Sequence, residues 1–230
     1  MRIGTIIQAR MGSTRLPGKM LEDVNGAPLL TRVVERVRAS TLSTEVIVAT
    51  TSEPRDDRIA RLCGELRLPV IRGSRDDVAS RFLSAVDSHG LDAFVRVCGD
   101  SPLMDPCLID KGVDLLVNGG FEIVTNNLRR TFPKGQTVEV LKSDTFRRGY
   151  EKFSDDGDRE HVTRWFYAHA DQFRVHNFTM TPDRSDLALS VDTEMDLRRV
   201  RDIFATMREP HWGFGLDWML NNVVVVRGCL

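Results

Sequence analysis

The chain has 230 residues, 41% of them hydrophobic, enough to bury a sizeable core in one domain rather than two. Its 32 basic and 33 acidic residues leave a net charge of −1 and a pI near 6.5, which argues against a nucleic-acid footprint and makes any cationic site local. No stretch approaches the ~20 apolar residues of a membrane span and the N-terminus lacks a signal-peptide core, so a cytoplasmic protein is expected.

Ile3, Thr5, Ile6 and Ile7 predict a first strand, and Gly12 with the Pro17-Gly18 pair predicts where it stops. The segment IIQARMGSTRLPGKML, residues 6–21, thus runs a buried strand into a loop at the carboxyl edge of a sheet. An isolated arginine is ordinarily a solvated surface cation. Here Arg10, Arg15 and Lys19 converge with Gly12, Ser13 and Gly18 on one loop, which favours phosphate binding. The spacing is neither that of a P-loop nor that of the dinucleotide fingerprint.

Further along, residues 28–38 predict a helix with Leu29, Leu30, Val33, Val34 and Val37 on one face, and 45–50 a short strand. A helix from Pro54 through Leu66, a strand at Val70-Ile71, a helix over 76–86, a strand over 93–97 and a helix over 106–117 follow. This alternation predicts an α/β fold: a mainly parallel mixed sheet with helices on both faces. The second half is less regular, with strands near 122–125, 137–141 and 173–179, and helices near 143–153, 159–169 and 194–207. Loops are expected at Gly119-Gly120 and over 129–136, and residues 155–158 read as a polar turn in preference to a mobile lid edge. Trp165 and Phe166 read as core, and the valine run over 222–226 as a buried or interface strand. Cys63, Cys98, Cys107 and Cys229 form no Cys-x-x-Cys pair and have no closely spaced His, so they read as reduced, mostly buried thiols. Nothing divides the chain, so residues 1–230 are expected to form a single domain.

Two carboxylates fall where a metal-bound triphosphate would need them. Asp100 follows the 93–97 strand in a Gly-Asp-Ser-Pro turn, and Asp192 ends the apolar run 187–191. Each also has a plain structural reading. Asp100 is a turn residue before Pro102; Asp192 is a helix N-cap with Thr193 as the first helical residue, and Asp196 an exposed first-turn acid.

The opening loop resembles the signature of the cytidylyltransferase family that includes the 3-deoxy-manno-octulosonate and acylneuraminate cytidylyltransferases and the SpsF-like spore coat polysaccharide proteins. The resemblance continues, in the family's order, through RVCGDSPLMDP (96–106), FPKGQTVEV (132–140), REHVTRWF (159–166) and LSVDTEMDLRRVR (189–201). One departure stands at Thr137, where such proteins often carry Asp. The resemblance implies a Rossmann-like nucleotide-diphospho-sugar transferase fold and a Mg²⁺ shared by Asp100 and Asp192. It implies catalytic roles for Lys19 and Arg10, with Arg10, Arg15 and Lys19 on the β- and γ-phosphates. Backbone amides from Ala9 to Ser13 would meet base and phosphates, and Arg75 and Arg81 would lie near the base. Asn126, Asn127, Glu139, Glu160 and His161 would border the acceptor. His161 alone is more often a satisfied helix histidine than a base, so it is assigned to substrate binding.

The expected reaction moves CMP from CTP to a sugar acid or sugar phosphate, releasing pyrophosphate, for surface polysaccharide or glycoconjugate synthesis. The second-half excursion is expected to carry acceptor contacts and a homodimer surface. Two alternatives remain: a sugar-1-phosphate guanylyltransferase or other nucleotidyltransferase on the same scaffold, and a non-catalytic nucleotide-sugar binding protein.

Overall fold

The computed structural model describes residues 1–227. Its strands are β1 (Ile3–Gln8), β2 (Asp23–Val24), β3 (Ala27–Pro28), β4 (Glu45–Thr51), β5 (Val70–Gly73), β6 (Ala93–Cys98), β7 (Ile123–Thr125), β8 (Glu139–Lys142) and β9 (Val175–Asn177). Its helices are α1 (Leu29–Arg38), α2 (Asp57–Glu65), α3 (Val78–His89), α4 (Pro106–Gly119), α5 (Ser143–Tyr150), α6 (Asp156–Glu160), α7 (Arg164–Ala168), α8 (Glu194–Thr206) and α9 (Leu216–Arg227). A seven-stranded sheet runs in the order β5-β4-β1-β6-β8-β7-β9, and β2 pairs with β3 as a separate ribbon. β1 pairs in parallel with both β4 and β6, whereas β8 lies antiparallel to β6 and β7. The expected mainly parallel mixed sheet with helices on both faces is what forms.

Alternation along each strand assigns side chains to two cores. Ile7, Val48, Val95 and Val97 pack on one face with α1, α2, α4 and α8, whose residues include Leu30, Ile59, Ile109 and Val200. Ile6, Ile47 and Phe94 pack on the other with α3, α5 and α7, including Phe82, Phe146 and Phe166. Helices α1 and α2, which connect β1 to β4 and β4 to β5, therefore cover one face, and α3, which connects β5 to β6, covers the other. The winding reverses between β1 and β6, so their carboxyl ends open a crevice; ligands in open α/β sheets bind at such points.

Local chemistry sets the helix starts. The Asp77 carboxylate accepts from the Ser80 backbone N–H at 2.7 Å to cap α3, and Asp105 caps α4 ahead of Pro106. At α8 the N-cap is Thr193, in a reciprocal capping box with Asp196. Asp192 is thus not the cap, and Asp196 is a capping acid rather than a merely exposed one.

Other segments depart from expectation. The valine run over 222–226 is helical, as part of α9, not a strand. The Asp105 carboxylate accepts the Leu216 N–H at 2.6 Å, and Leu216 and Met219 are buried on the first face, so capping and burial outweigh the β preference of valine. The single helix expected over 159–169 is two, α6 and α7, separated because His161 leaves helical geometry at φ −104°, ψ 79°. Residues 155–158 are not a free turn: Asp155 caps α6 by accepting the Asp158 N–H at 2.8 Å. Pro54–Asp56 forms a 3₁₀ turn ahead of α2, β8 is shorter and shifted by one residue at its end relative to 137–141, and β9 is shorter than 173–179. Trp165 and Phe166 are buried as expected. Of the cysteines only Cys63 is buried among the described residues, Cys98 being half-buried at the cleft and Cys107 exposed in the first turn of α4, so they are not mostly buried, and Cys229 lies outside the described residues. No described helix is long and apolar enough to cross a membrane.

Candidate active site

The crevice at the β1/β6 switch is a cleft of about 310 Å³. Its rim is the loop after β1, its back the turn after β6, and one wall the start of α3 with the end of α6. Gly99 makes the close approach of β6 to β1 possible: a Cβ there would stand 2.9 Å from the Gln8 carbonyl oxygen and 3.0 Å from the Ala9 side chain.

Lys19 is the hub. It is 6% exposed, and its Nζ donates to Asp100 Oδ2 at 2.9 Å, to the Val191 carbonyl at 2.6 Å and to Asp192 Oδ1 at 3.3 Å. Arg15 reaches Asp192 Oδ1 at 2.8 Å, and Lys134 pairs with its Oδ2. Burial works to raise the Asp192 pKa, but Lys134 and Lys19 outweigh it and hold the carboxyl below its usual value. The two acidic turns are tied together by the Val191 N–H, which donates to the Asp100 carbonyl at 2.8 Å. Gly135, at φ +93°, brings Lys134 to this corner: its Cα side faces the Leu189-Ser190 backbone, where a Cβ would come within 2.7 Å of Ser190 N.

The rim loop is shaped from below. Ala9 N–H donates to Ala49 O, Ser13 N–H to Met11 O, and Met11 N–H to the carboxylate of Asp56, a fully buried acid that also accepts from Thr51 Oγ1. The amides of Ala9, Met11 and Ser13 are therefore spent on protein acceptors, which corrects the expectation that all amides from Ala9 to Ser13 face a ligand. Among the described residues, the N–H groups of Arg10 and Gly12 have no protein acceptor.

Arg81 enters the cleft from α3. It is 3% exposed, its Nε and Nη1 have no hydrogen-bond partner, and burial together with nearby Arg10 lowers its pKa. A guanidinium buried without partners is costly unless a ligand supplies acceptors. Arg10 approaches Glu160 at 3.9 Å, and Glu160 and His161 line the same cleft from the end of α6.

The structure thus brings together Ala9, Arg10, Gly12, Ser13, Arg15, Lys19, Arg81, Asp100, Asp192, Glu160 and His161. It does not bring in Arg75, which is exposed and pairs with Glu53 and Asp76. Nor do Asn126, Asn127 and Glu139 line the cleft. Asn126 is buried away from the cleft, its amide donating to Gln136 O and accepting from Val138 N–H to hold the backbone there. Asn127 is half-buried beside it, and Glu139 lies fully buried behind the cleft floor. Sequence reasoning missed Gln8, Arg96 and Cys98 on that floor, Lys134 on Asp192, and Asp56 under the loop. The period-2 series Arg96, Cys98, Asp100 was the available signal for two of them.

The described residues contain no cluster of three or more His, Cys, Asp or Glu side chains placed for a metal. Asp100 and Asp192 nevertheless fit a hard divalent cation, since such an ion takes one or two carboxylates and completes its shell with phosphate oxygens and water.

The family model of the cytidylyltransferases matches residues 5–204. The chain belongs to the cytidylyltransferase family. It is 30% identical over 209 residues to the spore coat polysaccharide biosynthesis protein SpsF of Bacillus subtilis, covering 86% of this chain and 85% of that one. A 3-deoxy-manno-octulosonate cytidylyltransferase of Geobacter sulfurreducens is 38% identical over 154 residues, 65% of this chain and 60% of its own. The solved structure of a cytidylyltransferase from Leptospira borgpetersenii superposes with a TM-score of 0.91 at 29% identity, covering 100% of this chain and 98% of that one. This cytidylyltransferase is accordingly a CTP-dependent nucleotidyltransferase, and members of its family generally use a divalent metal.

Proposed function

We propose that the enzyme transfers CMP from CTP to a sugar acid or sugar phosphate in surface polysaccharide or glycoconjugate synthesis, with Mg²⁺ on Asp100 and Asp192. The observation that carries this reading is Lys19 held between those two carboxylates at the mouth of a cationic loop. The names of the relatives, one in spore coat polysaccharide synthesis and one acting on 3-deoxy-manno-octulosonate, support the acceptor class. A cytoplasmic homodimer is part of the same reading.

In the proposed reaction an acceptor oxygen attacks the α-phosphorus in line, and the bond from that phosphorus to the oxygen bridging to the β-phosphate breaks. Lys19, Arg15 and Arg10 bind the β- and γ-phosphates and stabilise the negative charge that grows on departing pyrophosphate. Asp100 and Asp192 would hold the metal, which supplies charge neutralisation at the phosphates when bound. The N–H groups of Arg10 and Gly12 and the open donors of Arg81 bind the nucleotide. Glu160 and His161 close the acceptor side.

Pyrophosphate release measured with each of the four nucleoside triphosphates, across sugar acids and sugar phosphates, tests the reading. CTP is expected to be the substrate and EDTA to abolish turnover. Preference for GTP would move the assignment to the guanylyltransferase alternative, and release with no acceptor dependence would remove the transfer step.

A further inference from the structure

The floor of the cleft carries a charged group that the reaction described above leaves without a task. Arg96 projects from β6 on the same face as Cys98, with the turn holding Asp100 just beyond. Its Nε donates to Gln8 Oε1 at 3.1 Å and its Nη1 to the carboxylate of Glu139 on the neighbouring strand β8. Glu139 is itself held in place, its Oε1 taking the Thr163 hydroxyl at 2.7 Å and the Tyr167 hydroxyl as well. That assembly holds the guanidinium plane rigid. The third nitrogen, Nη2, has no partner among the described residues, although the side chain is only 14% exposed, and Arg96 lines the cleft rather than the outer surface.

A guanidinium fixed by a buried carboxylate, with one N–H edge left open into a cleft, is the arrangement that reads the oxygens of an anionic group. Nη2 is not sealed from solvent, so a ligand oxygen can take the place of water on that edge without breaking any protein contact. The triphosphate already has Lys19, Arg10 and Arg15 at the rim, whereas Arg96 is tied through Glu139 to Thr163, two residues beyond His161, which associates it with the Glu160-His161 wall of the same cleft. We propose that Arg96, oriented by Glu139 and Gln8, determines acceptor specificity by binding a carboxylate or phosphate on the acceptor. This rests on the cytidylyl-transfer reading and adds to it the residue that demands a charged acceptor.

The test is calorimetry with the full chain saturated with Mg²⁺ and a CTP analogue whose α- and β-phosphates are bridged by methylene, so that no transfer occurs. The complex is titrated with 3-deoxy-manno-octulosonate, with mannose 1-phosphate and with neutral mannose. At least one of the two anionic sugars is expected to bind and mannose not to; which one binds separates the carboxylate from the phosphate. Arg96→Lys, which keeps the charge but loses the fork, is expected to weaken the anionic sugar at least tenfold while the affinity for the analogue moves less than twofold. Because Arg96→Gln alone would strand the buried Glu139, the double variant Arg96→Gln/Glu139→Gln is the second probe, and it should show the same selective loss. Mannose binding as tightly as the acids, neither acid binding, an unchanged acid affinity in both variants, or a loss confined to the CTP analogue would each overturn the proposal. Failure of the wild-type protein to bind the analogue at all would instead strike at cytidylyl transfer itself.

Discussion

At the rim of the cleft the charges are shared and partly wet: Lys134 and Arg15 are about half exposed, and both join Lys19 on the single carboxylate of Asp192. On the floor the carboxylate is dry and closed, with Glu139 fully buried and answered by Arg96, Tyr167 and Thr163, and only the Nη2 edge of Arg96 is left open to the cleft. The difference follows from what each end must do. A rim that admits a triphosphate and releases pyrophosphate needs cations whose protein partners are readily exchanged, and half-exposed ion pairs contribute little to stability. A floor that discriminates between acceptors needs groups that do not move, and buried charges held by several hydrogen bonds supply that rigidity at the cost of desolvation.

The largest effect should come from breaking the rim. Asp100→Asn and Asp192→Asn should each lower turnover at least about a hundredfold, a loss typical of removing a charge-stabilising group, while leaving the fold intact. Asp192→Asn should be the more severe, because it also leaves Lys19, Arg15 and Lys134 without their common partner, whereas Asp100 answers Lys19 alone. Steady-state pyrophosphate release and circular dichroism together check this. Near-wild-type turnover at saturating Mg²⁺ in either variant would remove that carboxylate from the metal site.

A smaller effect is expected beneath the loop. Asp56→Ala should leave the Met11 N–H unpaired and cost about 1–3 kcal/mol of stability, the usual consequence of orphaning a buried donor. It should also raise KM for CTP by about tenfold, because a misplaced loop loses ground-state and transition-state contacts together, with kcat less affected. Asp56→Asn, which keeps the accepting oxygen, should recover most of the CTP affinity. If both variants lose stability while KM for CTP stays constant, Asp56 only supports the fold.

The rim was legible in the sequence because it is local. Arg10 to Lys19 lie on one loop, and Gly12 and Pro17-Gly18 announce it. The same holds for the sheet, since runs such as Ile3 to Ile7 and Val95 to Val97 carry their own β signal. The floor was not legible, because its parts come from β1, β6, β8 and α7 and meet only through long-range packing, the parallel pairing of β1 with β6 and the antiparallel pairing of β8 with β6. Glu139 was assigned to the acceptor border by resemblance, yet its role in orienting Arg96 depends on the register that sets Arg96 opposite it. The valine run of α9 misled for a related reason: a cap from Asp105, 111 residues earlier in the chain, is invisible to any local pattern. Asp192 was readable either as a cap or as a ligand, and the capping box at Thr193 removes the cap reading, which no local pattern could do.

The smallest expected effect concerns two arginines that the sequence could not tell apart. Arg75 and Arg81 stand in the same segment, RGSRDDVASRF, and both were assigned to the nucleotide by resemblance. The start of α3 divides them. Capping by Asp77 turns the chain so that Arg81 points inward among buried residues, whereas Arg75 stays in the preceding turn with 56% of its side chain exposed, 3.8 Å from Glu53 and 3.5 Å from Asp76. Arg81→Ala removes a buried, unpartnered guanidinium, so it should leave thermal stability equal or higher while weakening CTP binding about tenfold, within the range of a charged hydrogen bond lost to a ligand. Arg75→Ala removes only exposed ion pairs, whose contribution is about 0–1 kcal/mol, and should change neither CTP affinity nor turnover by more than about twofold. Differential scanning fluorimetry with and without CTP reads both variants side by side. A drop in CTP affinity for Arg75→Ala comparable to that of Arg81→Ala would mean that the turn over 74–77 folds onto the nucleotide, and the boundary drawn here between cleft and surface would have to move to include it.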